Sequence, residues 1–572
     1  MFARCIKRIP VVSWGALLVL LIHLVLVAFS ATYHPPTSDE PAHLDAGLDM
    51  VRQGYFGKNL GNPPLANVVA AFPVAVLYPD FELQLQYDRR LAVVQSVDIC
   101  WIFTLARFGC IPFSLLGAYV CYRWSSELHG EVGGLLSLCL WCFFPNILGH
   151  AQLITADVAS AAASILATYM LWCWWREPCW VNAVFAGLAL GMALLAKMVC
   201  VVLLVLWPAM WIAIRVSRQY SLPRPTSFLC EARDMSLLLV VAILMLNWGY
   251  AFERTMRPLD EYLESMAGVR TAQLPAALRW TPVPLPQNYV RGLWDVRQVV
   301  GRSHRSYVAG EWRDRGVWFY YLYGLAVKVP LGAMGLFLIA VVTSLRCRVA
   351  NDRAGTLFLV IPAAAYLAFV SYSSMAISHH FRYAMPVLPF CFVFAGGSAR
   401  RHCGGQFKRV AVVTCWVAAV SASLWNYPHS LSYFNVLGGG AAGGRYHMID
   451  SNLDWGQDLL LLKRWVDRNP QARPLYCGYF GRIDPKSAGI EYRLPKSNNG
   501  EQFAEGWYAI SVNLLMGLEF LVSDGQGGVS VVRRDDYRYF RQLTPVARAG
   551  YSIDIYHLEG QGKDDSQLES GP

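Results

Sequence analysis

The stretch Val11-Val-Ser-Trp-Gly-Ala-Leu-Leu-Val-Leu-Leu-Ile-His-Leu-Val-Leu-Val-Ala-Phe-Ser-Ala31, with the Thr37-Ser-Asp-Glu-Pro-Ala-His43 that follows it, decides the fold class. An apolar run of about 20 residues spans a hydrocarbon core of roughly 30 Å. Arg4, Lys7 and Arg8 precede it as in a signal peptide, but the only cleavage-like site, Ala28-Phe-Ser-Ala31, is weak. The run therefore reads as a retained first helix. Two adjacent carboxylates, Asp39 and Glu40, and His43 then stand where a hydrophobic helix leaves the bilayer. A lipid head group lies on one side of such a site and water on the other. The competing reading is a helix N-cap with solvated charge.

The rest of the chain extends this pattern. Its 572 residues are 55% hydrophobic and only 15% charged, with a mean hydropathy of +0.33. Soluble domains carry roughly 25% charged residues. Further apolar segments fall at 99–122, 131–149, 154–175, 180–196, 198–215, 235–252, 317–345, 356–375, 383–399 and 409–426, which makes about eleven in all. With the N-terminus inside, the inner loops hold Arg123, Arg176, Arg215, Arg218, Arg224, Arg233, Arg346, Arg348, Arg353, Arg400, Arg401, Lys408 and Arg409. The short outer connections 150–153 and 376–378 hold no Lys or Arg. This positive-inside bias supports an odd number of spans. It also accounts for much of the +10 net charge without nucleic acid, for which no motif is found. Most of the fifteen cysteines lie in apolar runs, and Cys139-Leu-Trp-Cys142 has no second pair at zinc spacing. Buried thiols are expected rather than a disulfide framework.

Three long segments fall outside, at 32–98, 253–316 and 427–572. Carriers usually have short loops and symmetric halves. The first segment holds Asn62-Pro-Pro-Leu65, a rigid extended turn, and an apolar run from Ala66 to Tyr78 too short to span. The second holds Thr281-Pro-Val-Pro-Leu-Pro286, which excludes regular helix, and ends at the aromatic run Trp318-Phe-Tyr-Tyr-Leu-Tyr323. In the third, Trp507–Val512 and Ser552–Tyr556 alternate like strands, and Asp458–Val466 reads as helix. The expected organisation is a transmembrane catalytic domain over 1–426, an extracytoplasmic α/β domain over 427–559 and a disordered tail over 560–572.

Several residues in this frame could carry chemistry. Asp157 stands near the outer end of the fourth span, either as a functional acid or as one favoured by the helix dipole. Lys197 and Lys328 lie in apolar surroundings, either snorkelling or meeting a lipid phosphate. Arg382, in His379-His-Phe-Arg-Tyr-Ala-Met-Pro386, opens the tenth span on the outer side, against the inside bias. Arginine bonds phosphate in bidentate fashion. Asp450-Ser-Asn-Leu-Asp454-Trp455-Gly-Gln-Asp458 could hold a sugar between acids and a ring, or could be a turn with a helix cap. The glycines of Gly438–Gly444 follow Tyr433-Phe-Asn435 as a flexible turn, not as a phosphate loop.

Taken together, Asp39-Glu40, Asn62-Pro-Pro-Leu65, Asp157, Trp318 to Pro330, Arg382-Tyr383 with Pro386, and Tyr433-Phe-Asn435 with Asp450–Asp458 resemble the membrane-embedded GT-C glycosyltransferases. The resemblance is to family 39, of protein O-mannosyltransferases and aminoarabinose lipid A transferases, in a bacterial branch. It covers most of the chain and implies a GT-C-like helical fold. It implies transfer of a sugar from a polyprenyl-phosphate donor to a protein, lipid or glycan acceptor on the extracytoplasmic side. The family's first-loop acid maps onto Asp39, with Glu40 beside it. Arg382, Lys328 and Tyr383 would meet the donor phosphate, and Asp157, Asp454 and Trp455 the acceptor or sugar. The aminoarabinose transferases carry a lysine before their Pro-Pro pair, where this chain has Asn62, and Lys58 is out of register. No cofactor is required outright; a divalent cation could be held only by the clustered Asp39, Glu40, His43 and Asp45. The expected setting is the inner cell membrane, with the N-terminus cytoplasmic and the site and C-terminus outside. The alternative is a non-enzymatic flippase for a polyprenyl-linked sugar, which would not need the outer acids.

Overall fold

The structure, a computed structural model, describes residues 13–83, 85–86, 91–92, 99–216, 227–266, 275–301, 304–346, 352–374, 380–400, 405–496 and 503–559. The expected tail 560–572 and His379 lie outside the described residues. The chain forms an integral, largely α-helical membrane unit and a smaller sheet-containing unit. The first unit comprises Met1–Tyr33, Ala42–Phe81 and Cys100–Met448; the second comprises His34–Pro41, Glu82–Ile99 and Ile449–Pro572. Residues 427–448, assigned from sequence to the C-terminal domain, thus belong to the helical unit.

The helical unit begins with α1 (Trp14–Tyr33), α2 (Glu40–Gln53, its first residues in the second unit) and α3 (Pro64–Leu77). There follow α4 (Ile99–His129), α5 (Glu131–Cys142), α6 (Pro145–Ala151), α7 (Ala156–Arg176), α8 (Trp180–Ala196), α9 (Val202–Val216) and α10 (Phe228–Gly249). Next come α11 (Gln287–Gly301), α12 (Tyr320–Lys328), α13 (Leu331–Arg346), α14 (Asp352–Ser374), α15 (Leu388–Ala395) and α16 (Gln406–Asn426). Among the described residues six helices are long and apolar enough to cross a membrane, or eight if each of two bent pairs is one span. The expected segments 131–149 and 317–345 are those pairs. They bend by 57° between α5 and α6 and by 109° between α12 and α13. Pro145 opens α6 and Pro330 separates α12 from α13; each lacks the N–H a continuing helix needs.

The expected tenth span at 383–399 is not one helix. It is a 3-10 turn over Phe381–Val387, the short α15 and a second 3-10 turn over Gly396–Ala399. Pro386 and Pro389 interrupt its hydrogen-bond ladder, so Arg382 sits in a turn rather than opening a span. In the expected aromatic belt, Trp318 is exposed but Tyr320 and Tyr321 are buried.

Inside lipid every backbone polar group needs an internal partner, and two asparagines meet this need at the α12–α13 break. Asn435 Nδ2 donates to the carbonyls of Ala326 (2.7 Å) and Val329 (2.8 Å). Its own N–H donates to Val327 O at 2.8 Å, and Asn146 Nδ2 donates to Lys328 O at 3.1 Å. Close helix approach uses small residues elsewhere. A Cβ on Gly191 of α8 would fall 2.5 Å from Met245 Cβ of α10, so the Gly187-Leu-Ala-Leu-Gly191 face lets these two helices touch.

In the second unit α17 (Leu459–Arg468) accompanies a mixed sheet. Its strands are β1 (Leu475–Gly478), β2 (Tyr492–Arg493), β3 (Gly506–Ser511), β6 (Ala547–Ala549) and β7 (Ile553–Leu558); β4 (Phe520–Ser523) and β5 (Val529–Val532) form a separate hairpin. The order is β6-β7-β3-β1-β2, with β1 parallel to β2 and β3. The two strands legible in sequence, β3 and β7, are antiparallel neighbours, Ala509 opposite Ile555.

Asn435→Leu leaves the Ala326 and Val329 carbonyls without their donor. The expected cost is about 1–3 kcal/mol for each buried group left unsatisfied. Thermal unfolding in detergent checks this; a melting temperature equal to that of the wild type would contradict the capping role.

Candidate functional site

The site is built on the head of α7. The sequence Ala156-Asp-Val-Ala-Ser-Ala-Ala-Ala163 begins a 21-residue helix with small side chains, and Asp157 in its first turn complements the helix dipole. Asp157 is almost fully buried, at 1% exposure. Two cations converge on it. Lys197 is the extended residue that ends α8, and its ammonium donates to Asp157 Oδ1. Arg382 Nη1, from the 3-10 turn, donates to Asp157 Oδ2 at 3.3 Å. His150 Nδ1, from α6, lies 4.0 Å from the same oxygen. The Tyr383 ring joins the group: Lys197 Nζ is 4.6 Å and Arg382 Cζ 5.5 Å from its centroid. Each charge removed from water costs several kcal/mol, and only close opposite charge and further hydrogen bonds offset this.

Lys328 is buried nearby. It donates to Leu431 O at 3.2 Å and lies 4.6 Å from the Phe434 ring centroid. His150 lies within reach of the charges of Asp157, Arg382, Lys328 and Lys197. The turn between α6 and α7 also buries Gln152 and Thr155. Gln152 Nε2 donates to Gly149 O at 3.1 Å. Gln152 Oε1 and Thr155 Oγ1 have no hydrogen-bond partner among the described groups. Thr155 is the N-cap of α7, yet its side chain caps nothing. Such buried groups cost about 1–3 kcal/mol each.

Asp157, Arg382 and Tyr383, singled out from sequence, are therefore brought together. Lys197, noted there as a phosphate candidate, is their direct partner. His150, Gln152 and Thr155 were missed. The one signal for them was a polar stretch between two apolar runs that was too short for a solvated loop.

In the second unit the Asp39–Glu40 pair divides. Glu40 is buried, and its Oε2 accepts from Thr37 N (2.7 Å) and Thr37 Oγ1 (3.1 Å). This is the reach-back half of a capping box, so the helix-cap reading applies to Glu40. Asp39 is half-buried. The preceding turn is pinned by Ser38 N, which donates to Trp455 O at 2.9 Å, and by His34 Nδ1, 3.2 Å from Gln457 O.

Asp454 and Trp455 are buried. Asp454 accepts from Gly456 N (3.1 Å) and Asn513 N (3.4 Å). Burial pushes its carboxyl well above the usual carboxylate range, against the opposing pull of these donors. Asp458 accepts from Tyr551 N and Ser552 N, each at 3.1 Å. These residues fix turns and backbone, as in the turn-and-cap alternative to sugar binding. In the first unit Lys58 lies 3.0 Å from Asp45 Oδ2 and 2.6 Å from Asp49 Oδ2. Burial would lower its pKa, but hydrogen bonds and charge from the two aspartates together raise it. His43 Nδ1 is 2.7 Å from Asn67 Oδ1. Among the described residues no three His, Cys, Asp or Glu side chains group as metal ligands.

Comparison with known proteins gives no matching family model and no matching curated protein. Similar solved structures include ArnT from Cupriavidus metallidurans bound to undecaprenyl phosphate, at 14% identity and TM-score 0.47, covering 94% of this chain and 97% of that one. They also include the archaeal oligosaccharyltransferase AglB from Archaeoglobus fulgidus with an inhibitory peptide and a dolichol-phosphate, at 10% identity and TM-score 0.45 (91% and 75% covered). A third is the S. cerevisiae protein O-mannosyltransferase Pmt1-Pmt2 complex bound to the sugar donor, at 15% identity and TM-score 0.33 (46% and 38% covered). All are GT-C enzymes. At these identities and scores no residue role is carried over.

Asp157→Ala strands Lys197 and Arg382 without their carboxylate. Breaking a buried pair in this way costs about 3–5 kcal/mol. Adding Lys197→Met should recover part of that loss, a non-additivity measurable by thermal unfolding of both single variants and the double variant. Strictly additive losses would show that the two residues do not act as a pair.

Proposed function

We propose that the protein is a glycosyltransferase that moves a sugar from a polyprenyl-phosphate donor to an acceptor on the extracytoplasmic face of the cell's inner membrane. The observation that carries this reading is the Asp157–Lys197–Arg382 cluster with Tyr383, buried at the end of an apolar helix. A lipid phosphate reaching it would find a guanidinium and an ammonium already desolvated and oriented. Such preorganised cations stabilise charge that develops on a departing phosphate.

In the proposed reaction an acceptor hydroxyl oxygen attacks the anomeric carbon, and the bond from that carbon to the phosphate oxygen breaks. Polyprenyl phosphate leaves with the bonding pair, and the configuration inverts. The hydroxyl proton goes to a carboxylate, for which we propose Asp39. Glu40 is engaged with Thr37, and Asp39 beside it is half-buried. A carboxylate of pKa about 4 is a weak base toward an alcohol, so it takes the proton late, as the new bond forms. Arg382 and Lys328 are the proposed phosphate ligands with Lys197; Asp157 orients Arg382 and Lys197, and the Leu431 carbonyl holds Lys328. The orientation is supported by α7 itself. Asp157 stands in its first turn and Arg176 in its last, roughly 30 Å apart. Arg123 and Arg176 both pair with Glu127 at that far end, where the positive-inside rule expects the cytoplasm.

Native membranes supplied with radiolabelled polyprenyl-phosphate sugars test the reading. Wild type should transfer label to an acceptor. Asp39→Asn, expressed at the same level, should lose at least about a hundredfold, the usual scale for a general base. An Asp39→Asn protein with full transfer would remove Asp39 from the reaction, and donor crossing the bilayer unconsumed would replace transferase with carrier.

A further inference from the structure

Resting on that reading, we infer that Gln152 and Thr155 are the sugar-recognising half of the donor site, hydrogen-bonding hydroxyls of the transferred sugar beside the phosphate cluster. Both lie in the turn that carries His150 at one end and Asp157 at the other. Gln152 is fully buried and Thr155 is 3% exposed. Buried side-chain polar atoms nearly always have a partner, yet Gln152 Oε1 and Thr155 Oγ1 have none among the described groups.

Ordinary structural duties do not account for the two atoms. A threonine at an N-cap normally accepts from the first turn of its helix, and Thr155 does not. Valine has nearly the same shape and would fill the position without a buried hydroxyl. Gln152 already uses its amide nitrogen to hold the Gly149 carbonyl, which fixes the side chain and leaves its oxygen as an acceptor. A fixed acceptor and a hydroxyl that both donates and accepts match a polyol. The Lys197 ammonium and Arg382 guanidinium, held by Asp157, match a phosphate instead. Gln152 and Thr155 stand in the turn that leads directly into Asp157, the residue on which both cations converge.

The inference separates sugar binding from phosphate binding, and so does its test. Purified protein in detergent is titrated with bare undecaprenyl phosphate and with undecaprenyl phosphate carrying mannose, glucose or 4-amino-4-deoxyarabinose. Wild type should prefer at least one sugar-bearing lipid over the bare one. Thr155→Val and Gln152→Met should each reduce that preference by about tenfold, the worth of one hydrogen bond to a well-placed partner, while bare-lipid affinity stays within about twofold. Thr155→Val should melt no lower than wild type, since it deletes a hydroxyl without a partner. Preference that survives in both variants, or that is missing in wild type, overturns the inference. Failure of wild type to bind even bare undecaprenyl phosphate overturns the transferase reading itself, and this inference with it.

Discussion

A carboxylate buried at the head of an apolar helix must be met by cations, and the irregular backbone of the helical unit serves that constraint. Asp157 could not remain in α7 alone. Lys197 reaches it because α8 ends in an extended residue before the next 3-10 turn. Arg382 reaches it because Pro386 and Pro389 turn the expected tenth span into a 3-10 segment. His150 approaches because α6 is a separate short helix after the Pro145 bend. Non-helical backbone at membrane depth is tolerated where protein surrounds it, and here Asn435 and Asn146 supply the missing donors at the sharpest break. Broken helices are thus what brings distant charges to one point.

The carboxylates divide by what they already hold. Glu40, Asp454 and Asp458 spend their oxygens on nearby backbone and hydroxyl donors, and this fixes the turn before α2 and the Asp450–Asp458 knot. Asp45 and Asp49 are taken by Lys58. Asp157 alone of these binds two cations from distant parts of the chain. Acidic residues that looked alike in sequence therefore separate into backbone fixtures and one charged centre, with Asp39 the half-buried partner of a capped neighbour.

Much of this was legible in the sequence, for definite reasons. Long apolar runs made the membrane helices plain, and alternation made β3 and β7 plain. An arginine expected on the outer side, against the positive-inside bias, pointed to Arg382. What stayed hidden depended on partners far away in the chain. Pro145 and Pro330 were visible, but not which asparagines would satisfy the carbonyls they free. The sequence left Asp454 and Trp455 open between sugar binding and a turn, and composition does not reveal that both are buried. His150, Gln152 and Thr155 stand close together in sequence but form no recognisable motif. The fold shows that His150 approaches Asp157 and that Gln152 and Thr155 are buried.

The central claim is that the Asp157–Lys197–Arg382 cluster receives a lipid phosphate. Phosphorus NMR of polyprenyl phosphate titrated into purified protein tests it most directly, since the reporting nucleus is the bound group itself. The resonance should shift and broaden with wild type. It should stay at its free position with an Arg382→Gln protein that remains folded at the measuring temperature. An unchanged resonance with wild type, or an equal shift with both proteins, would contradict the account.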